Sequence, residues 1–137
     1  MPEATVLTGG CLCRRVRYRA GPPLYTVSVC HCESCRRGIG AHAVAWLTVS
    51  RASLQFEDEL PAQYASSAGI FRAHCAACGT AISYYTAARP DEIDLTVGSL
   101  DDPGRLAPAD HIWMADALPW DRPQDGLPQH PGTRPLP

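Results

Sequence analysis

The sequence predicts an all-β domain of short strands, and three observations carry that expectation. Apolar residues recur with a period of two more often than with helical spacing. The segments showing this alternation are rich in β-branched and aromatic residues and end at Gly, Pro, Asp or Ser. No uninterrupted helical pattern of ten residues or more stands out along the 137 residues.

The first strand signal is RRVRYRA, where Val16 and Tyr18 alternate with Arg15, Arg17 and Arg19, as in a strand with one buried face. AVAWLTV (43–49) and SLQFE (53–57) follow, then GIFRAHC (69–75), TAISYY (80–85), EIDLTVGSL (92–100) and HIWMA (111–115). The best place for a short helical turn is Cys32 to Gly40. From Pro119 the composition shifts: WDRPQDGLPQHPGTRPLP carries a proline every few residues, which predicts an extended tail. The expected division is an N-terminal extension over 1–8, one domain over 9–120 and a Pro-rich tail over 121–137.

Length supports a single domain that buries about 68% of its unfolded surface. Hydrophobic residues make up 45% and charged residues 19%, the balance of an ordinary globular protein. A net charge of -2 offers no general attraction to nucleic acid or anionic membrane, so neither is expected as a partner. All 12 basic residues are arginine, which rules out a Schiff-base lysine. MPEATVLTGG does not read as a secretory signal, and no stretch approaches the ~20 apolar residues of a membrane span. A cytoplasmic location is expected. In that reducing compartment, seven cysteines point to metal or thiol chemistry and not to a disulfide framework.

The cysteines fall into three tight groups: Cys11-Leu12-Cys13, Cys30-His31-Cys32 with Cys35, and Cys75-Ala76-Ala77-Cys78-Gly79. Two residues between Cys75 and Cys78 let a tight turn aim both sulfurs at one point. Gly79 supplies the permissive backbone just after it. Pairing this knuckle with Cys11 and Cys13 gives a closed four-thiolate site of the structural zinc kind. In an extended segment Cys30 and Cys32 share one face, and a turn through Glu33 and Ser34 brings Cys35 to meet them, with His31 on the other side. Three ligands and an open fourth position is the pattern of a catalytic zinc. Other partitions of the seven remain open, as does closure of the second site by His42, His74 or His111.

GGCLCRRVRY, CHCESCRRGIGAH, FRAHCAACGTAISY, VGSLDDP and HIWMADALPW, in this order, resemble the glutathione-dependent formaldehyde-activating enzyme (centromere protein V) family, from about Gly9 to Trp120. The resemblance implies a β-tent fold of twisted antiparallel sheets around zinc, with two zinc ions per chain. It matches Cys11, Cys13, Cys75 and Cys78 to the family's structural ligands, and Cys30, Cys32 and Cys35 to its catalytic ligands. The activity it implies is that of S-(hydroxymethyl)glutathione synthase, a carbon–sulfur lyase that joins glutathione, or a related thiol, to formaldehyde or a small aldehyde. Some relatives are chromatin-associated proteins, so a non-enzymatic zinc-binding interaction module is the alternative. Thiol redox catalysis of the methionine sulfoxide reductase type ranks last, because no cysteine is left over if all seven are ligands.

Three thiolates leave a divalent zinc with a net negative charge, which suits a soft incoming thiol better than water activation. Glutathione carries two carboxylates, and Arg36 and Arg37 follow the open site directly, placed to receive one. Gly38 and Gly40 would let backbone approach a ligand. His111, Trp113 and Trp120 offer a possible aromatic wall, with core packing expected for at least one tryptophan. Asp94, Asp101, Asp102, Asp116 and Asp121 form no paired-carboxylate pattern and receive no catalytic role.

Overall fold

A computed structural model describes residues 6–135. In chain order the strands are β1 (Leu7–Gly10), β2 (Arg17–Ala20), β3 (Val27–Cys30), β4 (Val44–Ser50) and β5 (Gln55–Phe56). They continue with β6 (Ala62–Ser67), β7 (Ile70–His74), β8 (Ala81–Thr86), β9 (Glu92–Thr96) and β10 (Pro108–Ile112), and α1 (Glu33–Ile39) follows β3. The fold is all-β, as its alternation predicts. β1 starts inside the segment expected as an N-terminal extension, the first five residues of which lie outside the described residues.

The strands form two sheets. A small one has the order β1-β2-β5, and a seven-stranded one the order β10-β3-β4-β9-β8-β7-β6. Every pairing is antiparallel except β10 with β3. β2 obeys the predicted period: Tyr18 and Ala20 are buried while Arg19 is exposed, and Val16, just before the strand, is buried too. β4 is an interior strand, paired with β3 on one side and β9 on the other, and four of its seven residues are buried. Leu47 and Val49 point to one side and join Val16, Tyr18, Ala20, Leu95 and Ile82 in the main core between the sheets. Full burial of each Leu or Ile here contributes about 1.5–3 kcal/mol. Trp46 points to the other side and packs with Cys30, Cys35 and Val44 in a second cluster. The large sheet therefore separates a core from a second apolar patch built around cysteines.

Three strand expectations shorten for a local reason. SLQFE pairs only at Gln55 and Phe56, because Arg51–Ser53 coil into a 3-10 turn. EIDLTVGSL stops at Thr96 and turns through Val97–Ser99, where the Ser99 hydroxyl donates back to Thr96 O. HIWMA reaches only Ile112, since Trp113 takes a left-handed backbone and Met114–Asp116 turn. Strands β1, β3 and β6 escape the period-two reading. LTGG is half glycine, VSVC is buried at three of its four positions, and AQYASS is largely exposed, so none alternates cleanly.

The Pro-rich segment is laid along β10, an edge strand that would otherwise present unpaired backbone. His111 N–H donates to Pro128 O at 2.9 Å, His130 N–H to His111 O at 2.9 Å and Trp113 N–H to Gly132 O at 2.8 Å. Arg134 then reaches across to Asp110 at 2.9 Å and to the Ser28 hydroxyl. Its last two residues lie outside the described ones.

Candidate functional site

The structure brings all seven cysteines into two clusters, one of four and one of three. Cys11 and Cys13 lie in the turn before β2, and Cys75 and Cys78 lie in the turn between β7 and β8. These two turns bring their sulfurs within 4.8 Å of one another. Cys11 and Cys13 sulfurs are 3.6 Å apart, and those of Cys13 and Cys75 3.7 Å. Four sulfurs placed tetrahedrally about 2.3 Å from a zinc lie about 3.8 Å from each other. The donor set also suits thiolates. Val16 N–H donates to Cys11 Sγ at 3.2 Å, and Ala77 and Cys78 N–H both donate to Cys75 Sγ at 3.4 Å. Gly79, at φ 80°, closes the knuckle. The Thr80 hydroxyl and N–H hold the Cys78 thiol down to about 5. Burial works to raise the Cys11 thiol, but donation from Val16 N–H, Cys13 and Cys75 brings it below its ordinary value. These residues fit a closed tetrathiolate metal centre.

Cys30, Cys32 and Cys35 converge on the opposite face of the large sheet. Cys30 ends β3, and Cys32 is the N-cap of α1, its sulfur accepting from Cys35 N–H at 3.3 Å. The helix is only about two turns long because Gly40 ends it in a left-handed conformation, at φ 77°, with its N–H bonded to Arg36 O. Cys30 and Cys35 hydrogen bonds, with Cys35 N–H and the Arg72 charge, press the Cys32 thiol down to about 2, and its neighbour Cys30 is pushed up in return. Cysteine sulfurs that give up their protons to a cation are the donors such a cluster offers. Among the described residues no histidine or carboxylate joins these three sulfurs. His31 turns away from them, is buried, and meets His111 Nδ1 at 3.0 Å. His42 pairs instead with Asp121 at 2.7 Å, and His74 stacks edge-on against Tyr64.

The three-cysteine cluster opens on a cleft of about 1320 Å³ whose floor is the sheet itself. Alternation delivers its lining: Ser28 and Cys30 from β3, Trp46 and Thr48 from β4, Asp94 from β9, Tyr84 from β8, Arg72 from β7, and Tyr64 and Ser66 from β6. Helix α1 supplies Arg37 and Gly38, and the C-terminal segment supplies Thr133, Arg134 and Pro135. The structure separates the two arginines singled out from sequence. Arg37 lines the cleft and is ion-paired with Glu33 at 2.9 Å, whereas Arg36 is half-buried and outside the lining. Trp113 lines the cleft, Trp120 is exposed against His42, and neither enters the core.

Sequence reasoning missed Arg72 and Asp94. Arg72 is 7% exposed, lies 5.0 Å over the Tyr84 ring, and directs Nη2 at Cys35 Sγ, 3.9 Å away. Its one available signal was an arginine between Phe71 and Ala73 in an apolar strand. Asp94 accepts from the Thr48 hydroxyl at 2.6 Å and lies 3.6 Å from Arg89; burial pushes its carboxyl up. In EIDLTV it reads as the solvent face of an ordinary half-exposed strand.

Sheets, clusters and cleft together define a small all-β domain with two cysteine centres able to hold metal ions, one closed and one facing a cleft. The model of the glutathione-dependent formaldehyde-activating enzyme family matches residues 6–116, and the chain belongs to that family. It is 33% identical over 84 residues to a Schizosaccharomyces pombe protein described as an uncharacterized lyase, across 61% of this chain and 58% of that one. The chain thus spans little more than half the length of that relative. Its fold is similar to the crystal structure of a Rhodobacter sphaeroides protein, with a TM-score of 0.59 and 19% identity over 90% of this chain and 98% of the other. No helix among the described residues is long and apolar enough to cross a membrane.

Proposed function

We propose that the chain is a zinc-dependent carbon–sulfur lyase that forms or cleaves a thiol–aldehyde adduct, in the manner of S-(hydroxymethyl)glutathione synthase. The observation that carries this reading is the three-sulfur cluster: it has no fourth protein ligand among the described residues and faces a cleft large enough for a tripeptide thiol. Family membership and the relative described as a lyase support the reaction class.

Cys11, Cys13, Cys75 and Cys78 would hold one zinc for structure, and Cys30, Cys32 and Cys35 a second for reaction. When bound, that second zinc would supply a soft position that favours the thiolate form of the substrate sulfur. In the forward direction the sulfur–carbon bond forms as the carbonyl π bond of formaldehyde breaks, and the thiol proton ends on the new hydroxyl. Trp46 and Tyr84 exclude water beside the sulfurs, and Cys30, Cys32 and Cys35 act as ligands without a covalent role. Arg37, at the cleft rim, is assigned to a carboxylate of the thiol substrate. Arg36, outside the lining, is not. Seven cysteines gathered in two metal-capable clusters, with no disulfide among them, suit a reducing compartment, and on that ground we assign the enzyme to the cytoplasm.

Exchange NMR on an equilibrating mixture of glutathione and formaldehyde tests this directly. The zinc-loaded protein is expected to accelerate interconversion with the adduct, and Cys32→Ser to abolish the acceleration while keeping the fold. A wild-type protein with two zincs and no effect on the exchange would overturn the reading in favour of a binding module.

A further inference from the structure

The two cysteine clusters are compensated in different ways. Around the closed one, neutral donors do the work: the N–H groups of Val16, Ala77 and Cys78 point at its sulfurs. Around the open one, the donors at sulfur are Cys35 N–H and a full cation, Arg72. Arg72 is nine-tenths buried, and its hydrogen-bond partners among the described residues are Ser66 Oγ at 3.4 Å and Cys35 Sγ at 3.9 Å, with Nη1 unpartnered. No carboxylate pairs with it within this group. A buried guanidinium without a carboxylate is costly, so its place beside the sulfurs requires that negative charge collects there.

Its position is also held. The Tyr84 face lies beneath it, and Gly38 of α1 lies alongside, where a Cβ would come 3.2 Å from Nη1, tighter than ordinary van der Waals contact. Three thiolates and a divalent ion carry one net negative charge, and an entering thiolate would make it two. Arg72 returns one positive charge at the place where the second would appear. A neutral ligand has no such need.

On the reading of this site given above, we propose that Arg72 is its specificity-determining residue, the fixed cation that makes the open centre select an anionic sulfur ligand over a neutral one. The consequence is separable from holding the metal, because it concerns only the charge of the fourth ligand.

The test uses cobalt(II)-loaded protein, whose visible absorption reports ligands entering the three-sulfur centre. It is titrated with 2-mercaptoethanol as the anionic sulfur probe and with imidazole as the neutral probe. Arg72→Met is expected to weaken 2-mercaptoethanol about tenfold or more while imidazole changes by less than about threefold. Arg72→Lys, which keeps the charge, should stay within about threefold of wild type for both. Arg72→Gln is a second neutral replacement with the same expected outcome, in case the methionine variant does not fold. Equal thiol affinity in the wild type and a folded neutral variant would overturn the proposal alone. Equal weakening of both probes, or loss of the second metal, would also overturn it by making Arg72 a support of the metal. A wild-type spectrum that no thiol alters would overturn the sulfur-binding reading itself.

Discussion

Asp94 sits in the cleft wall with its carboxyl buried beside Thr48 and Arg89. Burial raises its pKa above the ordinary carboxylate value, so ionising it costs stability once the pH rises through that raised pKa. Asp94→Asn keeps an acceptor for the Thr48 hydroxyl and removes the buried charge. The variant is expected to melt about 1–4 °C higher at neutral pH, with the gain shrinking as the pH falls and wild-type Asp94 takes up its proton. Thermal denaturation from neutral pH down to the ordinary carboxylate value would show it, and a gain that did not vary over that range would contradict the assignment. Asp101 has the opposite sign: hydrogen bonds from Arg17 and Thr8 hold it down to about 2. Its contribution is present above the ordinary carboxylate value and fades as the pH falls toward 2. Because this pair is largely exposed, a small effect is expected.

Helix α1 is too short to persist alone, so its caps and packing carry it. Gly40→Ala places a Cβ on a left-handed backbone and is expected to cost about 1 kcal/mol in urea unfolding, with looser metal retention by Cys32 and Cys35. The C-terminal segment is anchored by Arg134, which satisfies the buried Asp110 and Ser28 at the junction of β10 and β3. Removing that guanidinium leaves a buried carboxylate without its main partner. Arg134→Ala is therefore expected to destabilise the protein by about 2–4 kcal/mol and to release the segment from β10. Protection of the His111, His130 and Trp113 amides against hydrogen exchange measures that release. Retained protection in the variant would show that the backbone bonds suffice without the anchor.

Across the whole molecule, the two cysteine centres stand in different relation to the core. Cys11 and Cys75 are part of the main cluster between the sheets, while Cys30 and Cys35 belong to the patch on the other face. Stripping metal from the first centre removes a tie between chain segments more than sixty residues apart; stripping it from the second leaves the main core untouched. Titration with a chelator should then proceed in two stages, the first ion leaving with the far-ultraviolet dichroism unchanged and the second with unfolding. Metal analysis of each fraction beside the spectrum checks the order. Simultaneous loss of both ions with the fold would show that the open centre is structural as well.

The cysteine groups and the all-β class were legible in the sequence because both depend on spacing that the local chain fixes. A knuckle of two intervening residues, a glycine after it and a run of alternating Val, Tyr and Arg each determine their geometry within a few residues. Helix α1 was legible for the same reason, its cap being Cys32 and its stop Gly40. Arg72, Asp94 and the docking of 118–135 were not, since each takes its meaning from groups distant in the chain. Arg72 lies 37 residues from Cys35, and Asp94 46 from Thr48. Arg134 is 106 from Ser28. Period two says that Arg72 and Tyr84 each occupy one of two faces, but only the pairing of β7 with β8 makes it the same face. The ligand types were thus settled by local covalent spacing. The environment that gives the open centre its charge and its walls was settled by strand order, a long-range property that no short stretch of sequence contains.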